Sequence, residues 1–149
     1  MIRKIKNLIK KFIFFFIKPE IRVVNKYNTY SQAGEDRVLT FLFIDKKISK
    51  LSYLDIGTND PINANNTYLF YSRGYRGVCV EADSSIIPLI KDKRAEDIII
   101  HAGISVSDKK MADFYKFEAK GLNTFDKEEA LRRESFGNNK IKEIVKVTL

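Results

Sequence analysis

Leu51-Ser-Tyr-Leu-Asp-Ile-Gly-Thr-Asn-Asp-Pro61 is the stretch whose reading decides the fold of this chain. Leu51–Ile56 is a short apolar run closed by Gly57, the pattern of a buried strand that ends in a sharp turn. Gly77–Glu81 (GVCVE) and Ile98–His101 (IIIH) repeat it downstream. Between these runs lie two helical stretches. One is Asn66–Ser72, ended by Gly74; Asn65, Asn66 and Thr67 are natural capping residues for it. Ser84 is placed to cap the other, which runs to Lys93 with Pro88 in its first turns. Strand, helix, strand, helix, strand is the βαβαβ order of a doubly wound parallel sheet, so the expected fold class is α/β and Rossmann-like. Such sheets bind ligands outside the carboxyl ends of their strands, which places the expected chemistry just after each run.

Upstream, Ser31-Gln-Ala-Gly-Glu-Asp36 precedes Val38, Leu39, Phe41, Leu42 and Ile44. Ser31 is thus expected at the N-cap of a helix, with Glu35 and Asp36 in first turns where the macrodipole favours acids. Downstream, Ala112–Phe117 alternates like an antiparallel strand with one wet face. Thr124–Ser135 reads as a surface helix, and Ile144–Leu149 begins another strand. His101 reads as a packed or hydrogen-bonded histidine rather than a base, and Phe70, Tyr71 and Tyr75 as core or rim aromatics.

The strand-end residues carry the chemistry. Asp55-Ile-Gly57-Thr-Asn-Asp60-Pro61 follows the first run, and Glu81-Ala-Asp83 follows the second, 24 residues beyond Gly57. That interval is near the one at which an acid reaches a ribose in nucleoside-binding βαβ units, where a carboxylate accepts both hydroxyls of the diol. Ser105 and Ser107 follow the third run, where a base or ribose edge would lie. The glycines discriminate between cofactors. A dinucleotide site needs G-x-G-x-x-G, with backbone amides turned to a pyrophosphate. Here Gly57-Thr-Asn-Asp-Pro-Ile62 offers one glycine, Asp60 would repel a phosphate, and no G-K-[ST] is present. S-adenosylmethionine has no phosphate and carries a positive sulfonium, so an acid-bearing polar loop suits it better.

Composition bounds the rest. The chain has 149 residues, 44% of them hydrophobic, enough for one domain and one core. Cys79 is the one cysteine, which excludes an internal disulfide framework and a cysteine-based metal site; no metal is expected, and the compartment reads as reducing and cytoplasmic. The net charge is +8, but it is concentrated at one end. Residues 1–26 hold eight of the 27 Lys and Arg against one acid, leaving 19 basic and 18 acidic residues in the remainder. A balanced body argues against a nucleic-acid-binding face.

Residues 1–18 read MIRKIKNLIKKFIFFFIK, with Ile2, Ile5, Leu8, Ile9, Phe12 and Ile13 at helical spacing between lysines. Two readings stand: a basic amphipathic helix lying on an anionic membrane surface, or a helix packed on the domain or another subunit. The uninterrupted apolar stretch Phe12–Ile17 has six residues, far short of the roughly 20 that span a bilayer. Lys18-Pro19-Glu20 offers no small-residue cleavage site, so a signal peptide is not expected. The chain therefore divides into residues 1–26, a basic head, and residues 27–149, an α/β domain.

Four motifs in order give a resemblance. Tyr30-Ser-Gln-Ala-Gly-Glu-Asp36, Leu54-Asp-Ile-Gly-Thr-Asn-Asp-Pro61, Asn65-Asn-Thr-Tyr68 and Gly74-Tyr-Arg-Gly-Val-Cys-Val-Glu-Ala-Asp83 together look like the FkbM family of methyltransferases. The resemblance runs from Tyr27 to the end. It implies an S-adenosylmethionine-dependent O-methyltransferase that modifies a glycan or small-molecule hydroxyl, in surface-glycan biosynthesis. By resemblance, Asp55 and Gly57 form the first cofactor motif, Glu81 holds the ribose hydroxyls, and Thr58 and Asn59 line the amino-acid end. Gln32 and Glu35 would sit near the cofactor mouth.

In the family a fourth strand ending in a motif like Asp-Val-Glu-Gly follows, so the resemblance covers the N-terminal part of a methyltransferase domain and the expected sheet is incomplete. No catalytic base is identified. An unclosed sheet leaves its first strand as an edge, from which marginal stability or self-association is expected. The alternative function is a non-catalytic fragment that keeps a membrane-surface helix and part of a nucleoside site. A nicotinamide enzyme is a weaker third reading, disfavoured by the missing glycines.

Overall fold

The computed structural model describes residues 29–137 and 139–149, so the basic head and its expected membrane contact lie outside the described residues. In chain order the elements are α1 (Glu35–Asp45), β1 (Leu54–Ile56), α2 (Tyr68–Ser72), β2 (Val78–Glu81), α3 (Ile87–Lys93), β3 (Ile98–His101), β4 (Met111–Phe117), a 3-10 turn (Lys120–Leu122), α4 (Lys127–Ser135) and β5 (Ile141–Thr148). The strands form two sheets: a parallel one in the order β1-β2-β3, and an antiparallel pair, β4-β5. The fold is mixed α/β.

Register sorts the parallel sheet into two faces. Asp55, Cys79 and Ile99 are partners in register, and so are Leu54, Val78 and Ile98. The first set faces α3, where Cys79, Ile86 and Ile90 form a buried cluster joined by Ile87 and Ile99. Each fully buried aliphatic side chain of this kind contributes about 1.5–3 kcal/mol. Burial pushes the Cys79 thiol up to about 11, so it behaves as a small core hydrophobe. The second set is largely uncovered: Leu54 is 61% exposed and Ile98 64%.

The β4-β5 pair buries side chains on both faces around Phe114, Tyr115 and Phe117, while most of β5 stays exposed. Phe114 packs with Ala82 and Val147, while Tyr115 and Phe117 pack with Ala130 of α4. The expected wet face of β4 is covered at Tyr115 and Phe117, where α4 packs on it, and open at Met111 and Asp113. An irregularity in register between Lys116 and Phe117 marks where the pair bends.

Helix starts differ from the expectations in an instructive way. Gly34, in the left-handed region, occupies the N-cap of α1, one turn after Ser31. The Ser31 hydroxyl accepts from the Gly34 N–H at 3.1 Å, so it braces the turn ahead of the helix instead of capping it. Asp36 reaches back to accept from the Tyr30 N–H (2.8 Å) and the Thr29 hydroxyl (2.6 Å). Of the anticipated caps, Asn65 performs the role: its Oδ1 accepts from the N–H groups of Thr67 and Tyr68, and α2 begins at Tyr68. Ser84 caps nothing; Asp83 accepts from the Ser85 N–H at 2.9 Å, and α3 begins at Ile87. Asp126, which accepts from the Glu129 N–H, starts α4 three residues later than Thr124. Among the described residues no helix is long and apolar enough to cross a membrane.

Candidate functional site

A cavity of about 630 Å³ opens at the carboxyl ends of β1, β2 and β3. Its floor is Ile56, Gly57, Val80, Glu81, Ala82 and Ala102; its far wall is Phe114 with Gly121 and the Asn123–Asp126 stretch. This volume is within the range of small-molecule sites, roughly 300–1,000 Å³. The parallel sheet supplies the floor because β-strand ends there give way to loops, and the antiparallel pair supplies the wall.

Glu81 is the acid at the base of the cavity, only 5% exposed. One carboxylate oxygen accepts from the Asn59 N–H at 2.8 Å, the other from the Asp83 N–H at 2.7 Å. Two backbone donors hold the carboxylate in one orientation. A carboxylate has about four acceptor sites, so capacity remains for a ligand diol. The loop after β1 is held to the same strand: Gly57 and Thr58 both donate their N–H groups to the Val80 carbonyl, at 2.8 and 3.3 Å. Gly57 makes this turn at φ 74°, a conformation that favours glycine. The first three amides of the loop are thus engaged within the protein.

Asp55 is half-buried and turned to the α3 side, away from the residues that line the cavity. Its Oδ2 accepts from the Thr67 hydroxyl at 2.6 Å and the Asn65 amide at 3.1 Å. It organises the loop from beneath. Asp60 is likewise outside the cavity: its Oδ1 accepts from the N–H groups of Ile62 and Asn63, closing a turn. The expectation that Asp60 faces the ligand is corrected on this point, since its oxygens serve the loop's own backbone.

Of the other expected site residues, Gln32, Thr58 and Asn59 line the cavity together with Gly57 and Glu81. Glu35 does not. It is exposed and accepts from the Ala33 N–H at 2.9 Å, a bond that lowers its carboxyl below the usual range. Ser105 is also outside, exposed and bonded to Ser107 at 2.9 Å, while its neighbours Gly103 and Ile104 line the cavity. His101 is exposed, with Nε2 3.1 Å from the Ala82 carbonyl oxygen.

The sequence reading missed the far wall. Phe125 packs on Phe114 at 4.7 Å between ring centroids, and lies so close to Gly103 that a Cβ there would meet the ring. Asp83, 1% exposed, ties the two sheets together. It accepts from Asn123 Nδ2 at 3.1 Å and pairs with Lys116 Nζ at 3.0 Å, which also pairs with Glu143. Burial alone would raise the Asp83 carboxyl, but the Ser85 donors and Lys116 outweigh it and hold it below the usual range. Asp83 stands in the strand-end motif, but no local pattern marks Phe114, Phe125, Lys116 or Asn123, which meet it and one another through long-range pairing. Among the described residues no cluster of His, Cys, Asp and Glu is placed to hold a metal ion.

The site thus belongs to an α/β domain with an acid-based cavity at the ends of parallel strands. Compared with models of known families, with curated proteins and with solved structures, the chain matches none.

Proposed function

We propose that this chain carries the cofactor-binding part of an S-adenosylmethionine-dependent O-methyltransferase of the FkbM type, on a Rossmann-like sheet, acting on a sugar hydroxyl in surface-glycan biosynthesis. One observation carries the reading most: Glu81 lies at the base of a 630 Å³ cavity beside a loop whose amides are already engaged. A carboxylate fixed by two backbone donors is suited to a ribose diol. A pyrophosphate needs free amides, and the N–H groups of Gly57, Thr58 and Asn59 are not free. That supports a phosphate-free nucleoside over a dinucleotide.

S-adenosylmethionine would supply an electrophilic methyl group. The residues of this chain would bind and orient it: Glu81 at the ribose, Thr58, Asn59 and Gln32 toward the amino-acid end, and Ala82, Ile86, Ile104, Phe114 and Phe125 as apolar walls that exclude water. Asp55 would act through the loop it braces. Residues 1–18 would hold the domain at the inner membrane face through their lysines. Vesicle flotation with and without phosphatidylserine tests that part; neutralising Lys4, Lys6, Lys10 and Lys11 should abolish binding to the anionic vesicles.

Calorimetric titration of S-adenosylhomocysteine tests the cofactor. Saturable binding that adenosine competes and NADH does not is the expected result. Binding of NADH in its place, or no saturable binding of S-adenosylhomocysteine, overturns the reading.

A further inference from the structure

Arg94 is the largest of the fully buried side chains, at 0% exposure, and it touches no part of the cavity. A buried guanidinium is costly unless every donor finds a partner. Here the fork is divided between two tasks. Nε donates to Asp97 Oδ2 at 2.8 Å, which neutralises the charge. Nη1 and Nη2 reach across to the loop after β1, donating to the Pro61 carbonyl (3.3 Å), Asn65 Oδ1 (3.4 Å) and the Thr67 hydroxyl (3.0 Å). The rings of Tyr53 and Tyr71 lie 5.2 and 4.9 Å from its Cζ and close the pocket around it.

Those three acceptors belong to the segment that shapes the cavity. Asn65 spends its amide nitrogen on the Thr58 and Asp60 carbonyls and on Asp55, at 3.1–3.3 Å. Its Oδ1 faces Arg94, which fixes the amide orientation. From Thr58 the chain passes directly to Asn59, held at φ 50° with its N–H on Glu81. A continuous set of hydrogen bonds therefore runs from Asp97 through Arg94 and Asn65 to the Asn59 amide and the Glu81 carboxylate. The Asp97 end is itself anchored, accepting from the Gly77 N–H and the Tyr53 hydroxyl, both at 2.8 Å.

We propose that Arg94 is the positioning residue of the cavity loop, holding residues 58–67 from behind so that Asn59 orients Glu81 toward the ligand. The role in cofactor binding rests on the proposed function; the positioning of Asn59 and Glu81 rests on the hydrogen bonds alone. Lysine would keep the charge and the Asp97 pair, but a single ammonium lacks the fork that spans Asp97 and the loop.

Amide NMR with a parallel ligand titration tests this. In the wild-type chain the Asn59 N–H, bonded to a carboxylate, should resonate downfield. In Arg94→Lys that signal should shift upfield, while amides of Cys79 and Ile99 in the α3-facing core stay in place. Thr67→Val, which removes one acceptor of Arg94 together with the hydroxyl donor to Asp55 and leaves the Arg94–Asp97 pair, should move it in the same direction by less. Affinity for S-adenosylhomocysteine should weaken about tenfold in Arg94→Lys, the scale of one lost charge-assisted bond. An unchanged Asn59 signal in both variants overturns the proposal, as does the unfolding of both, which would make Arg94 a residue of the fold alone. Failure of the wild-type chain to bind the ligand with the NMR shifts still observed would count against the methyltransferase reading and leave the positioning role standing.

Discussion

The two faces of the parallel sheet are built from the same kind of strand and have opposite fates. On the face of Asp55, Cys79 and Ile99, α3 closes an apolar cluster and the Arg94 network satisfies the polar groups beside it. On the face of Leu54, Ile98 and Ile100, the outer-strand residues stand 61%, 64% and 44% exposed. Helix α1 follows the second pattern: it buries Asp36 and Thr40 and turns Phe41 outward at 68% exposure. Apolar sequence alone therefore does not say which face will be covered. What separates the faces is polar chemistry that fixes a covering element in place.

The largest expected effect breaks the covered face at its charged centre. Arg94→Ala should lose about 3–5 kcal/mol in urea unfolding, because Asp97 is left buried without its partner. Ile90→Ala, at a 0% exposed position in the same face, should lose about 2–5 kcal/mol through the cavity it leaves.

Acid should act on the buried carboxylates next. Burial would raise Asp36, but bonds from Thr29, Tyr30, Ser31 and Arg37 prevail and hold its carboxyl below the usual range, as the Ser85 donors and Lys116 do for Asp83. A depressed folded value means that the unfolded chain binds more protons. Stability from these groups is complete above about pH 4 and is lost as pH falls through the folded values. Asp36→Asn should cost about 1.5–3 kcal/mol at pH 7 and progressively less as pH falls through the folded value of Asp36, read by thermal melts over a descending pH series. Equal costs at both ends would contradict the assignment.

The smallest effect is expected on the open face. Ile98→Thr should change folding stability by no more than about 0.5 kcal/mol, since the side chain is already in water. The same variant should reduce self-association in sedimentation velocity, because an apolar strand face beside β1, an edge strand among the described residues, invites pairing between chains. A loss above about 2 kcal/mol would show that this face is covered in solution and would remove the distinction between the two faces.

Much of the parallel sheet was legible in the sequence. VCVE and IIIH became strands within a residue of their expected bounds, while the first strand begins at Leu54, three residues later than the run from Leu51 suggested. Gly57 and Glu81 were legible because strand order dictates that ligands meet strand ends, and both line the cavity. Asp55 was read as a cofactor residue from its place in a motif. Side-chain alternation puts it on the α3 face, and alternation in a three-residue strand is too short to read without the register. The wall made by Phe114 and Phe125 was illegible because its position depends on β4 pairing with β5 across some 30 residues. Arg94 carries no mark in the sequence. An arginine three residues before an aspartate is an ordinary surface pairing, and the loop acceptors that set this one apart lie about 30 residues upstream.

In the proposed function Glu81, fixed by backbone donors, holds the ribose of a phosphate-free nucleoside. Calorimetric titration of S-adenosylhomocysteine into the wild-type chain and into Glu81→Gln tests it most directly. The wild type should bind saturably and the variant should lose about 2 kcal/mol, roughly 30-fold in affinity, with the fold unchanged by circular dichroism. Equal affinity of the two proteins would contradict it.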